Sequence, residues 1–296
     1  MRSLVALALA VTAVWGFNFV VIKVGTDGVP PLFLAALRFT FVLPALLFVR
    51  RPAASWLLIA GYGLFLGVGE FGLLFTAIKL GAPTGVSSLI LQSQAFFTAA
   101  LVAGWFGQRL RAPSVLGMAL AGCGLLLIGV RGYTGGAWGG HFGLALGMLL
   151  GAALMWAVAN VLAQRIGNVG GLSLMVWSSL FSPAPLLALS LVFEGPAAIR
   201  LALESLSWLS VGAVVYLVLF STLFGYGAWN DLIVKHGAGQ VAPFSMLVPI
   251  FGLASGSLFL HEVFTTSHAL GALLVLAGLG LHAFGPKLRP VPRREA

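Results

Sequence analysis

Ten apolar stretches follow one another along this chain in two sets of five. They are residues 4–24, 32–49, 57–80, 84–107 and 113–130, then, after a Gly-rich connection at 133–140, residues 142–164, 172–193, 208–230, 240–260 and 267–285. Each is close to the roughly 20 apolar residues that a helix needs to cross a hydrocarbon layer. Five is odd, so the second set enters the membrane in the opposite sense to the first. This pattern predicts an all-α integral membrane protein of ten transmembrane helices arranged as two inverted five-helix repeats. The repeats are residues 1–131 and 141–286, joined by 132–140, with a basic tail at 287–296. Inverted repeats of this kind place a substrate path between the halves, near the bilayer midplane.

Composition agrees. Hydrophobic residues make up 60% of the 296 and charged ones 8%, against about 25% charged in soluble domains. The net charge of +9 invites a nucleic-acid reading, but its placement argues against one. With the N-terminus cytoplasmic, eleven basic residues fall inside: Arg2, Arg50, Arg51, Arg109, Arg111, Arg165, Lys235, Lys287, Arg289, Arg293 and Arg294. Four (Lys23, Lys79, Arg131 and Arg200) fall outside, and Arg38 lies within a stretch. That is the positive-inside bias. It orients both termini to the cytoplasm and needs no nucleic-acid partner.

Residues 1–12 resemble a secretory signal, but the apolar run continues to Ile22, too long for a signal core, and reads as an uncleaved first helix. Connections are short, leaving no soluble domain for ATP, and no P-loop is present. His141, His236, His261, His268 and His282 are scattered, and His261-Glu262 lacks the second His of a zinc motif. No nucleophile–base pair or Gly-x-Ser-x-Gly elbow appears. The single Cys123 implies neither disulfide nor metal. The chain is therefore not expected to be an enzyme or to carry a cofactor or metal.

Internal similarity supports the duplication. Ile78-Lys79-Leu80-Gly81-Ala82 recurs as Val234-Lys235-His236-Gly237-Ala238, and Leu116-Gly117 with Gly124 recurs as Leu270-Gly271 with Gly278. Gly107-Gln108-Arg109-Leu110 closes the fourth stretch much as His261-Glu262-Val263-Phe264 closes the ninth. Trp15 and Asn18 are echoed by Trp156 and Asn160. With Trp15-Gly16-Phe17-Asn18-Phe19 and Lys23, Pro30-Pro31 to Leu37-Arg38-Phe39, Gln92-Ser93-Gln94-Ala95-Phe96-Phe97-Thr98 and Val248-Pro249-Ile250-Phe251-Gly252, the chain resembles the EamA family of the drug/metabolite transporter superfamily. The likeness covers nearly the whole chain. It is greatest to bacterial inner-membrane amino-acid and metabolite exporters of the cysteine/O-acetylserine type, with aromatic amino-acid exporters as more distant relatives. The resemblance implies ten helices, cytoplasmic termini and a central cavity lined by the first, third, fourth, sixth, eighth and ninth helices. Many members carry Glu where this chain has Gln108; the second-half counterpart, Glu262, is retained.

Polar side chains in hydrocarbon are expensive and mark partners or pathways. Glu70 lies roughly 20 Å along the third helix. It reads either as a proton-coupling or substrate-ammonium site, or as the ion-pair partner of Arg38 on the second helix, and both hold if the pair lines the cavity. Gln92 and Gln94, two apart on one helix, should face different sides, with Gln92 toward the cavity. Ser245 accompanies two prolines, Pro243 and Pro249, which free carbonyls and kink the ninth helix; they are candidate gating residues, or they only shape packing. Trp15, Asn18, Trp156, Asn160, Tyr226 and Asn230 complete the candidate cavity set. Trp229 reads equally as cavity or interfacial anchor, and Lys23 as a side chain that reaches the headgroups or, alternatively, contacts substrate. Gly-x-x-x-Gly patterns at Gly63, Gly143, Gly147 and Gly252 point to tight packing without specifying an oligomer; a monomer suffices.

The expected function is secondary export of amino acids or related small metabolites across the bacterial inner membrane by alternating access. The partners are a small-molecule substrate, the lipid bilayer and protons. A broad drug or cation efflux carrier, or a uniporter or channel for the same solutes, stays open on the sequence alone.

Overall fold

The computed structural model describes residues 2–106, 112–134, 141–167, 169–263 and 265–284. Every regular element among them is helical. The helices are α1 (Arg2–Gly28), α2 (Pro31–Val42, extended by a 3₁₀ turn to Leu47), α3 (Trp56–Lys79), α4 (Thr84–Trp105), α5 (Ala112–Thr134) and α6 (Phe142–Ile166). They continue as α7 (Gly171–Phe181) and α8 (Pro183–Phe193), bent 45° against each other, then α9 (Pro196–Glu204), α10 (Trp208–His236), α11 (Phe244–Leu260) and α12 (Thr266–Phe284). Six are long and apolar enough to cross a membrane, and the bent pair α7–α8 makes a seventh. Shorter apolar helices cover 31–47, 112–128 and 244–260. The molecule is an integral membrane protein by this measure.

α9 lies where the sequence suggests only a connection. Nine residues are too few to cross a bilayer, so a search for long apolar runs passes over it. Gly195, at φ 85°, turns the chain, and Pro196 supplies a preset first-turn φ. Ile199 and Ala202 turn inward, while Arg200 and Glu204 pair outward at 3.6 Å.

Several helices change winding midway. α3 is π-wound over Leu64–Glu70 and α10 over Tyr216–Phe224. α4 is interrupted at Gln92–Ser93, and a 3₁₀ turn at Ala242–Leu247 precedes the last turns of α11. Pro243 opens that turn and Pro249 sits in the first turn of the next helical segment, so irregular backbone does fall at the two prolines. The break in α4 has no proline. Its amides at Gln92 and Ser93 instead bond to carbonyls three residues back.

Glycines set the closest approaches. A Cβ on Gly117 would fall 2.5 Å from the carbonyl oxygen of Gly278, and one on Gly124 2.6 Å from that of Gly271. α5 and α12 therefore pack backbone to backbone. A Cβ on Gly63 would fall on the carbonyl of Ser178, which brings α3 against α7. The buried core gathers between α1, α2, α3 and α4, with Ile22, Leu34, Phe39, Phe75, Ile78 and Leu89 at 1% exposure or less.

Two helix N-termini are closed from far along the chain. α2 and α4 are preceded by Pro30 and Pro83, which offer no side-chain cap to the first free amides. Glu194, just after α8, accepts from the amides of Leu32 at 2.7 Å and Phe33 at 3.2 Å. Glu262, just after α11, accepts from those of Thr84 at 2.5 Å and Gly85 at 3.0 Å. A carboxylate here meets both the free N–H groups and the positive end of the helix dipole. His261, left-handed at φ 53°, stops α11 and turns Glu262 back toward α4. Gln108, the residue expected from internal similarity to correspond to Glu262, lies outside the described residues.

Candidate functional site

A cavity of about 330 Å³ lies where α1, α3, α4, α6, α10 and α11 converge, with Arg38 of α2 at its wall. Trp15, Asn18, Arg38, Glu70, Gln92, Trp156, Asn160, Tyr226 and Ser245 all line it. Asn230, the remaining cavity candidate, does not. It turns away, and its Oδ1 accepts from the Gly171 amide at 3.0 Å, capping α7. The reason is helical register: Asn230 is one position on from Trp229, and it is Trp229 that faces the cavity. Lys23 pairs with Asp27 at 2.7 Å, one turn on, and is not part of the lining.

Gln94 lines the cavity together with Gln92, against the expectation that only one would. That expectation assumes continuous helix. The break at Gln92–Ser93 rotates the downstream half of α4, so residues two apart reach the same space. Gln92 donates from Nε2 to the Ser245 carbonyl at 3.4 Å, linking the irregular stretches of α4 and α11. Asn160 donates from Nδ2 to Gln94 Oε1 at 2.7 Å and to Thr98 Oγ1 at 3.3 Å.

Arg38 and Glu70 share the cavity without forming an ion pair. Among the described residues the ion pairs within 4.0 Å are Lys23–Asp27, Arg200–Glu204 and Lys235–Asp231. Arg38 instead donates from Nε to Thr222 Oγ1 at 3.1 Å and from Nη2 to Ser221 Oγ at 3.3 Å, and its guanidinium sits 4.0 Å above the Phe71 ring. It is 1% exposed and Glu70 3%. Arg38 Nη1, Glu70 Oε2 and Asn18 Oδ1 are buried without a hydrogen-bond partner. Buried polar groups are normally satisfied, and an uncompensated buried charge is costly, so a polar guest in the cavity would satisfy three orphaned atoms at once.

The π-wound stretch of α10 prepares these contacts. Such winding leaves carbonyls out of the regular ladder and is common at functional sites. The Ser221 carbonyl accepts from Trp15 Nε1 at 3.0 Å, and the Leu217 carbonyl accepts from Thr222 Oγ1 at 2.8 Å. Trp15 lies 5.5 Å from Tyr226 and 5.2 Å from Trp229 by ring centroids, giving the cavity an aromatic wall. Tyr62, Ser88 and Ser221 also line it, outside the set the sequence points to. Their signal is weak: a Tyr two turns before Glu70, and hydroxyls too common in membrane helices to stand out.

Chemically, the cavity presents one guanidinium and one carboxyl side chain, amides and aromatic faces. Among the described residues, no three His, Cys, Asp or Glu side chains come together to hold a metal. The arrangement suits reversible binding of a small polar or amphipathic molecule.

A model of the EamA-like transporter family matches residues 2–130 and 143–284. The chain belongs to the EamA-like transporter family. It is thus a transporter and not an enzyme. Among curated relatives, a probable amino-acid metabolite efflux pump of Salmonella typhimurium strain LT2 is 42% identical over 293 residues, covering 97% of each chain. A protein of the same description from Escherichia coli K12 is 41% identical over 288 residues, covering 96% of this chain and 95% of its own. A crystal structure 20% identical matches 98% of this family member and 100% of its own chain with a TM-score of 0.63, a likeness of fold.

Proposed function

We propose that this protein is a secondary transporter that exports amino acids or closely related metabolites across the bacterial inner membrane by alternating access. The observation that carries the reading is the shared cavity, in which Arg38 and Glu70 lie buried, each with an unpartnered atom, beside an aromatic wall. A zwitterion needs both charges. The two efflux-pump relatives above 40% identity support amino-acid metabolites as the class.

The working architecture is ten membrane helices in two inverted repeats, with α7 and α8 as one span, α9 outside the count and both termini cytoplasmic. Reciprocal glycine contacts support it. Gly117 meets Gly278 while Gly124 meets Gly271. The repeat relates Gly117 to Gly271 and Gly124 to Gly278, so it exchanges one contact for the other. At the offset of 156 that relates Ile78 to Val234, Glu70 corresponds to Tyr226, and both line the cavity. Movement is assigned to the irregular stretches at Gln92–Ser93 and at Pro243 and Pro249, with Glu194 and Glu262 holding the opposite end closed. Glu70 is the proton-coupling candidate.

Counterflow in proteoliposomes tests the function. Labelled amino acid should accumulate when driven by unlabelled substrate on the far side, which a channel does not do. A panel of the twenty amino acids and cationic drugs that yields counterflow only with the drugs would replace this reading with cation efflux.

A further inference from the structure

We propose that Arg38 is the receptor for the substrate's carboxylate, so that the transported molecule must carry a free carboxylate together with an ammonium group. The inference rests on the transport reading and narrows its substrate class.

A guanidinium has five N–H donors in a fixed fork. In Arg38 the Nε side is committed, with Nε on Thr222 Oγ1 and Nη2 on Ser221 Oγ. Both acceptors are hydroxyls on α10, so they orient the group without neutralising it. Thr222 is itself held by its bond to the Leu217 carbonyl, and Phe71 fixes the plane of the guanidinium from one face at 4.0 Å. There remains the end formed by Nη1 and the second Nη2 hydrogen, with Nη1 buried and unpartnered. That end-on edge matches a carboxylate bidentately, the geometry in which Arg differs most from Lys.

The charge pattern agrees. An isolated cation away from water is costly unless an anion compensates it, and the carboxyl group sharing its cavity, Glu70, is not within ion-pair distance. Glu70 Oε2 is equally orphaned. A molecule with its carboxylate on Arg38 and its ammonium toward Glu70 satisfies both ends at once. A cationic amine satisfies Glu70 but leaves Arg38 bare and repels it. An anion without an amine does the reverse.

The test uses the purified, reconstituted protein and the counterflow of whichever amino acid the twenty-member panel identifies. Two compound series compete for it. The first is L-serine, L-serinamide, ethanolamine and N-acetyl-L-serine; the second is L-phenylalanine, its amide, phenethylamine and its N-acetyl derivative. For the wild type, loss of the carboxylate in the better-competing series should weaken competition about 10- to 100-fold, the range for a hydrogen bond to a charged group. Arg38→Gln should weaken the free acid by a similar factor while the amide, relieved of repulsion by the guanidinium, competes no worse than before, so the preference collapses. Arg38→Lys should recover part of the acid preference, because the charge returns without the fork. Wild-type competition in which acid and amide are equal overturns the proposal, and this comparison needs no variant to fold. Arg38→Gln that keeps the acid-over-amide preference overturns it too. Absence of counterflow with any amino acid overturns the functional reading instead, and this inference falls with it.

Discussion

Among single residues, Glu70 carries the heaviest demand. It is buried in a membrane helix, shares the cavity with Arg38 and Tyr226, and its Oε2 has no partner. If it carries the coupled proton, Glu70→Gln should abolish the acceleration of transport by an imposed pH gradient, while counterflow at equal pH persists with a raised KM because the substrate's ammonium loses its charged partner. Uptake by the variant that still follows the gradient would remove Glu70 from that role. Trp15 bears on a different property. Its ring spans Tyr226 and Trp229 while its Nε1 holds the carbonyl of Ser221, whose hydroxyl takes Arg38. Trp15→Phe keeps an aromatic ring and loses the bond, so it should cost about 1 kcal/mol of stability, the worth of a neutral hydrogen bond, and raise KM up to about 5-fold as the segment that holds Arg38 loosens. Trp15→Ala should lose stability as well, about 3 kcal/mol. Thermal unfolding of the two variants in detergent, read beside competition assays, separates these effects. Most of the cavity residues are legible in the sequence, because a polar side chain deep in an apolar run is tolerated only where a partner or a cavity offsets its burial. Asn230, turned away, and Gln94, turned inward, are exceptions of direction: depth along a helix says nothing of direction around it.

Among the elements, the helix ends and interruptions carry the design. Pro30 and Pro83 cannot cap α2 and α4, so Glu194 and Glu262 do so across the chain. Removing either carboxylate with Ala should cost about 1–2 kcal/mol, the upper range for loss of a cap. Glu262→Gln, which keeps an acceptor oxygen but loses the charge at the helix dipole, should cost less, about 0.3–1 kcal/mol. Thermal unfolding in detergent ranks the three, and Gln falling as far as Ala would contradict the capping account. The prolines make the irregular backbone near Pro243 and Pro249 legible. The break at Gln92–Ser93 is not, because no residue there forbids helix; the neighbouring helices favour it by engaging Gln92 and Gln94. α9 escapes a reading of the apolar runs for a simpler reason, its nine residues being too short for a membrane span.

The whole molecule is held by close backbone contacts between distant segments. Gly278→Leu would drive a side chain into the Gly117 carbonyl and the Ala121 amide. Overpacking of this kind costs about 1–3 kcal/mol and should show as a lower unfolding temperature, whereas Gly143→Leu, with open space around it, should not. Topology is testable by labelling. In a Cys123→Ala background, Ala53→Cys should resist a membrane-impermeant maleimide added to intact cells, and Ser205→Cys should react. The opposite pattern would invert the orientation. The sequence by itself determined an all-helical membrane transporter, because the length of an apolar run and the cost of charge in hydrocarbon are local properties. Only the tertiary structure decided which buried groups meet. The sequence admits an ion pair between Arg38 and Glu70, yet the partners of Arg38 are Ser221 and Thr222, 183 and 184 residues away. A side chain's partner depends on how neighbouring helices are rotated and wound, and a π stretch in α10 sets that rotation where the apolar pattern is silent.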